Sequence, residues 1–489
     1  MTRDSCLAVI TALGVCQFTQ IALNRHWTGI SHPSVSIARH QPPITNHEPP
    51  GPARYNQTHV KLKIEKLVYG GDGLARLPAD EHGPGKTTFV PFSVDGEVVE
   101  AQITEQKPGF ARAQITSITE SSSDRIEPKC PYFSGCGGCH YQHMTYARQL
   151  KTKSEILIET LKRTAKLDLP CELQVHPSPE WNYRNRTRLK VQVQPEFALG
   201  YYRFRSHDLL PVEQCPISSP LINQVIAQLW AAGRKGDLPI EVRELEIFAD
   251  HLDQNFSVEA YCDSRTAQIS AHKLAEQVAR ILPSAAGVVI FEAHPANNFS
   301  DPKRLASVGA TALTYKTKHS SYRVSAGAFF QANRLLIDEL VALATAGASG
   351  KLALDLYAGV GLFSAVLAGS FAQVIAVEAS QTSCDDLRHN SPKEVKAVLA
   401  TTEQYLAQVS GLNPDFVVVD PPRGGLGENV IRNLVRLNAP RITYVSCDPS
   451  TLARDLRMLA GLGYTIAGAH LVDLFPQTYH IESVFYLTR

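Results

Sequence analysis

This 489-residue chain has no run of the ~20 consecutive apolar residues that a membrane-spanning helix needs. Its nearest approach, Cys6–Cys16, has the length of a signal-peptide core, but its flanks are weak and no clear cleavage site follows. An excess of either charge is missing too: Lys plus Arg is 48 against 47 Asp plus Glu, a net charge of +1. That excludes a generally cationic nucleic-acid coat and leaves room for a local basic surface. Ten cysteines are too dilute for a disulfide scaffold. Residues 1–56 lack lysine, carry only the acids Asp4 and Glu48, and end in the Pro/His-rich stretch His32–Pro52. They read as a disordered extension, or as a segment foreign to the natural protein. The rest is ordinary in composition: 44% hydrophobic and 19% charged residues exclude wholesale disorder and a fibrous repeat. A chain of this length should fold as about three domains.

From Gln57, short alternating runs (His59–Leu67, Thr88–Pro91, Asp95–Val99, Ala111–Ile118) are separated by turn chemistry such as Gly70-Gly71-Asp72-Gly73. This spacing predicts a small β-barrel over residues 57–118, closed by the linker Ser121–Asp124. A helical period follows over about Tyr146–Lys166, with Leu150, Ile156, Leu157 and Leu161 on its apolar side. Short strands (Arg188–Gln194, Ala198–Phe204, Val288–Glu292) and a helix near Leu221–Ala231 make residues 119–321 an α+β part. From Tyr322 the strands Leu352–Leu356, Gln373–Glu378, Phe416–Asp420, Thr443–Ser446 and Ile481–Tyr486 alternate with helical segments. Residues 322–489 should therefore form an α/β, Rossmann-like domain, with ligands at the carboxyl ends of a mostly parallel sheet.

The strand ends carry the chemistry. Asp355-Leu-Tyr357-Ala-Gly359-Val-Gly361 follows an apolar strand, and its glycines let backbone approach a ligand closely. Glu378 ends the next strand, placed to accept both hydroxyls of a ribose. Because the turn continues Leu362-Phe363-Ser364 in place of a third glycine, it suits an adenosine ligand without a pyrophosphate, such as S-adenosylmethionine. Asp420-Pro-Pro-Arg423 and Ser446-Cys447-Asp448-Pro449 end two further strands. Cys447 is the candidate nucleophile, and Glu482, two residues after His480, the candidate base. Cys130, Cys136 and Cys139 share one glycine-containing loop that suits zinc or an iron–sulfur cluster, with a fourth ligand to come from afar.

The ordered series Phe329-Phe330-Gln331-x-Asn333, Asp355-Leu-Tyr, Asp420-Pro-Pro-Arg, Ser446-Cys-Asp-Pro and His480-Ile-Glu resembles the RNA uracil-C5 methyltransferases, over about Gln57 to Arg489. The resemblance implies a TRAM-type, OB-like barrel, S-adenosylmethionine as methyl donor, and methylation of uridine carbon 5 through a covalent Cys447 adduct, with Glu482 as base. It places Gln331, Tyr357, Glu378 and Asp420 at the cofactor, beside the Gly359 turn. It adds Cys215, before Pro216, to Cys130, Cys136 and Cys139 as ligands of a 4Fe-4S iron–sulfur cluster, which argues for a reducing, cytoplasmic setting. Structured RNA is the implied partner, 23S rRNA ahead of tRNA, with no membrane and no obligate protein partner evident. Arg184, Arg186, Arg188 and Lys190, with Tyr201-Tyr-Arg-Phe-Arg205, could form a basic, aromatic RNA face. The competing readings are a non-catalytic RNA-binding or ribosome-assembly protein that keeps the fold, and an amino-group methyltransferase. The latter has no use for a nucleophilic cysteine.

Overall fold

The computed structural model describes residues 59–78, 85–293 and 301–489. The expectation for residues 1–56 lies outside them. Among the described residues no helix is long and apolar enough to cross a membrane.

The first unit is a six-stranded sheet of β1 (His59–Lys63), β2 (Lys66–Leu67), β3 (Asp72–Arg76), β4 (Thr87–Pro91), β5 (Val98–Gln106) and β6 (Ala111–Glu120). Its order, β1-β5-β6-β4-β3-β2, leaves β1 and β2 as edges, so it is a half-barrel and not a closed one. Register shifts between β5 and β6 mark bulges, which bend and twist a ladder. Leu62, Ile64, Ala75, Val90, Val99 and Ala101 fill the concave side.

The cysteine segment leads into α1 (Tyr146–Thr160), whose Thr145 cap accepts the Arg148 N–H. Its last turn widens over Leu161–Ala165 and stops at Lys166, where φ is 59°. After β7 (Leu173–His176) come β8 (Arg186–Gln192), β9 (Ala198–Tyr202), β10 (Leu209–Pro211), α2 (Pro220–Lys235), β11 (Val242–Ala249), β12 (Phe256–Cys262), α3 (Ser264–Ile281), β13 (Gly287–Glu292) and β14 (Arg304–Gly309). Seven of these strands form one sheet, β10-β9-β8-β11-β12-β13-β14, parallel only between β12 and β13. α2 starts at a Ser219 cap with Pro220 in its first turn and ends at Gly236. Ile222, Val225, Ile226 and Leu229, at helical spacing, join the core under that sheet.

A hairpin of β15 (Ala312–Lys316) and β16 (Ser321–Ser325) leads through α4 (Ile337–Ala344) to the last unit. This contains β17 (Gly350–Leu356), α5 (Ser364–Leu367), β18 (Phe371–Glu378), α6 (Gln381–Asn390), β19 (Val395–Leu399), α7 (Thr402–Gln408), β20 (Phe416–Val419), α8 (Gly427–Arg436), β21 (Arg441–Ser446), α9 (Pro449–Gly461), β22 (Thr465–Val472) and β23 (Glu482–Thr488). The sheet order is β19-β18-β17-β20-β21-β23-β22-β7. Neighbours from β19 to β21 run parallel, and β23 is antiparallel to both its neighbours. Phe416–Val419 is buried throughout, as befits a strand covered on both faces. One covering layer holds Leu157, Leu161 and α8–α9 side chains; the other holds the hairpin, α4 and Phe330. β7, from the middle of the chain, pairs with β22 and completes the sheet's far edge.

Candidate active site

Parallel pairing brings the ends of β17, β18, β20 and β21 to one edge of the sheet, and antiparallel β23 begins there. The turn after β17 adopts left-handed conformations at Tyr357 (φ 68°), Gly359 (55°) and Gly361 (94°). A Cβ at Gly361 would meet Leu387 Cδ1 at 2.8 Å, so that side chain would have to shift; at Gly359 it would meet nothing within 4 Å. Asn390 Nδ2 donates to Val360 O at 2.9 Å and the Tyr322 hydroxyl to Leu362 O at 3.1 Å, which pins the turn from below. Glu378 grips it from the side: Oε2 accepts Gly359 N–H at 2.8 Å and Oε1 accepts Ser380 N–H at 2.7 Å. The helix expected after the turn is the single turn α5, because bonds from Ala368, Gly369 and Ser370 N–H groups close the chain toward Phe371.

Asp355 lies beneath this turn, 1% exposed. Ser364 Oγ donates to its Oδ2 at 2.5 Å, while its Oδ1 has no partner among the described residues. Burial pushes its carboxyl up to about 7, against the Ser364 hydrogen bonds. Gln331 is half-buried between anchored neighbours. Phe330 packs on Tyr315 at 4.7 Å, and Asn333 Nδ2 donates to Ser178 Oγ and Leu474 O, both at 3.0 Å.

Asp420, Cys447 and Glu482 converge from three adjacent strands. Ser446 stands opposite Ser483 in the β21–β23 register, so the residues just outside that pair are neighbours at the sheet edge. Burial, then the charges of Glu482 and Asp420, push the Cys447 thiol up to about 12, and Arg423 pulls it back. Burial and the Asp355 charge raise Asp420 to about 7. Glu482 is 5% exposed and held well above the usual carboxylate range, first by burial and then by Asp420. The site at rest is thus a neutral thiol among carboxyls that resist ionisation. His480 does not share a strand face with Glu482. β23 begins only at Glu482, and His480 lines the cysteine cavity instead.

Cys130, Cys136, Cys139 and Cys215 line one cavity of about 500 Å³, with Arg184, Arg203 and Arg205. All four are free thiols. The loop is held by Cys130 N–H to Gln142 Oε1 (3.0 Å) and Gly137 N–H to Tyr202 O (3.0 Å), while Asn223 Oδ1 accepts Cys215 N–H (2.8 Å). Burial raises the thiols of Cys130, Cys136 and Cys139, and the charge of Cys215 raises each further. Such a set favours thiolates only when positive charge enters among them. Among the described residues no three His, Cys, Asp or Glu side chains are arranged to hold a metal ion.

The expected basic face is corrected by the register. β11 sets Glu244 opposite Lys190 and Glu246 opposite Arg188, and Glu259 of β12 lies opposite Glu246. Arg186 therefore pairs with Glu246 and Glu259, Arg188 with Glu246 (2.5 Å), and Lys190 with Glu244. Arg184 precedes β8 and turns to the cysteine cavity. Sequence reasoning also passed over Tyr69, the residue just before the Gly70–Gly73 turn. Its ring meets Tyr479 edge-on at 5.5 Å, three residues before Glu482 in the chain.

Residues 304–406 and 406–489 match the family model described as tRNA (Uracil-5-)-methyltransferase, and residues 53–116 match the TRAM domain. A protein of Aquifex aeolicus named as an uncharacterized RNA methyltransferase is 34% identical over 439 residues, covering 87% of this chain and 97% of its own. One from Caldanaerobacter subterraneus, similarly named, is 30% identical over 447 residues, covering 88% and 98%. The crystal structure of Pyrococcus abyssi tRNA (uracil-54, C5)-methyltransferase in complex with S-adenosyl-L-homocysteine superposes with a TM-score of 0.68 at 23% identity. It covers 87% of this chain and 99% of that one, a likeness of fold.

Proposed function

The chain belongs to the RNA uracil-C5 methyltransferase family, with a TRAM domain ahead of its catalytic part, and we propose that it methylates carbon 5 of a uridine in 23S rRNA through a transient bond from Cys447 to the base. The convergence of Cys447, Glu482 and Asp420 beside the glycine turn carries this reading.

The donor is S-adenosylmethionine, which supplies an electrophilic methyl group when bound. Gln331, Tyr357, Gly359, Glu378 and Asp420 are the residues that would hold it. The open space at Gly359 leaves room for it, and Glu378 can exchange its hold on Gly359 N–H for ribose hydroxyls. Cys447 gives up its thiol proton to water, and its sulfur adds to carbon 6 of the uracil; the displaced C5–C6 electrons make carbon 5 electron-rich enough to take the methyl group. Glu482 then accepts the proton from carbon 5; those electrons re-form the C5–C6 double bond and expel the sulfur. A buried Glu482 with a raised affinity for protons is a stronger base for this step than a solvated one. The target uridine must leave its stack to reach the thiol.

Cys130, Cys136, Cys139 and Cys215 suit a 4Fe-4S cluster in a cytoplasmic enzyme. Four soft donors line one cavity, the donor set that iron–sulfur clusters take. Its part would be to hold the RNA-facing loop, since the methyl transfer needs no electron. The preference for 23S rRNA over tRNA rests on analogy, from the TRAM domain and the full cysteine set together.

The test is a trap. RNA carrying 5-fluorouridine, incubated with the enzyme and S-adenosylmethionine, should leave an adduct stable to denaturant, because fluorine cannot depart as a proton does. No adduct with RNA that is otherwise methylated would defeat the reading. Mapping 5-methyluridine in a strain lacking the gene separates 23S rRNA from tRNA.

A further inference from the structure

The loop 473–481 joins β22 to β23 and leads straight into Glu482. β23 begins at Glu482, which pairs on one side with Val472; on the other side the β21 ladder stops at Ser446 and Ser483. A residue at the last rung of a ladder takes its angle from the chain that precedes it. That chain bonds little to itself. Leu474 N–H reaches Val472 O, the Thr478 N–H and hydroxyl reach Phe475 O, and His480 N–H reaches the Thr478 hydroxyl.

The loop is gripped from outside. Gln149, fully buried in the first turn of α1, donates from Nε2 to Gln477 Oε1 at 3.0 Å, and its Oε1 accepts Gln477 N–H at 2.9 Å. Two bonds in opposite directions fix the orientation of Gln477 as well as its distance. Gln477 is itself buried and has a φ of 68°, a backbone that a residue with a Cβ keeps only when its surroundings hold it there. Its carbonyl accepts His140 N–H at 2.8 Å and Tyr141 N–H at 3.0 Å, directly after Cys139. One turn further along α1, Lys153 Nζ donates to Asp473 Oδ1 at 2.5 Å and to Phe475 O at 2.9 Å. Asn333 and Tyr183 take the carbonyls of Leu474 and Pro476, at 3.0 Å each. Gln149 is thus the side chain that holds the loop nearest to Glu482.

We propose that Gln149 is a positioning residue for proton removal: through Gln477 it holds the loop that aims Glu482 at carbon 5 of the uridine. The proposal rests on Glu482 being the base. Cys447 and Asp420 stand at the ends of other strands, so a displaced loop slows the step after methyl transfer and spares the transfer itself. It also ties the cysteine segment to that later step, because the backbone next to Cys139 closes on the same Gln477.

The probe is total RNA from a strain lacking the gene, grown with uridine tritiated at carbon 5, and the wild type is run alongside. With enzyme in excess, radiocarbon-labelled methyl from S-adenosylmethionine reports methyl transfer, and tritium released to water reports proton removal. Gln149→Met keeps the length and volume of the side chain and loses its hydrogen bonds. It is expected to slow tritium release about ten-fold, the order of one lost hydrogen bond. Methyl transfer should hold at the wild-type rate, so that methylated RNA accumulates on the protein in denaturing gels. Gln477→Asn tolerates the left-handed backbone and shortens the amide; it is the milder variant, and should show the same lag if Gln149→Met does not fold. Each variant compares two rates in one preparation, a ratio that a fraction of unfolded protein does not move. Equal slowing of both rates, or tritium release at the wild-type rate, would overturn the positioning role. Rapid tritium release by Glu482→Gln would remove the base reading itself. That result is separate from anything the Gln149 and Gln477 variants report.

Discussion

At the scale of single residues, the site is defined by groups whose ionisation the fold resists. Glu482 must be charged to take a proton from carbon 5, yet burial and Asp420 favour its neutral form. Glu482→Gln should therefore form the methylated adduct and fail to release it, so that denaturing gels show protein-bound RNA without any fluorinated base. Rapid turnover by this variant would assign the proton elsewhere. Asp355 offers a stability test. Its carboxyl titrates at about 7 in the fold against an ordinary 3.8, so across that interval the unfolded chain has released a proton that the folded chain keeps. Its contribution to stability is full below about pH 4 and is lost as pH rises to 7. In cofactor-free protein, the melting temperature of Asp355→Asn relative to wild type should rise between pH 4 and pH 7; a constant difference would contradict this. The identities of Cys447, Glu482, Asp420 and Glu378 were legible because each stands where a strand ends. The proton affinities of Cys447, Glu482 and Asp420 were not, since those arise from burial and from charges on neighbouring strands.

At the scale of elements, the strand ends matter more than the strands. Gly361→Ala would place a methyl against Leu387 in a left-handed backbone, at a cost of about 1–2 kcal/mol for the conformation alone. The expected result is weaker binding of S-adenosylhomocysteine by calorimetry and an earlier melt; Gly359→Ala, with open space, should retain its packing and suffer the backbone penalty only. The parallel core strands could be read from continuous apolar runs such as Phe416–Val419. β7, β19 and β22 could not, because their mixed residues (Leu173–His176, Val395–Leu399, Thr465–Val472) show strand character only once paired. The same limit applies to β8: its alternating cations were visible, but the matching carboxylates of β11 and β12 lie 54 to 73 residues away and meet them only through the register.

At the scale of the molecule, the three units are joined by buried polar contacts as well as by chain. Glu97, fully buried in the half-barrel, accepts Arg125 Nε at 2.5 Å and Nη2 at 2.8 Å, and Val94 N–H at 2.8 Å. Glu97→Ala would leave that guanidinium without its carboxylate, at a cost of about 3 kcal/mol. The variant should melt earlier, and its cysteine segment should be cut sooner by protease; unchanged digestion would show that the units hold together without this pair. The order of units along the chain was legible from turn spacing and periodicity. Their interleaving was not.

That interleaving has a genetic consequence in β7. A gene cut at residue 322 severs a sheet and not a hinge, leaving the outer backbone groups of Ala469–Val472 raw and ready to template another copy. Recombination between relatives can exchange the catalytic half only if the four-residue graft Leu173–His176 travels with it, so the two distant segments are inherited as one.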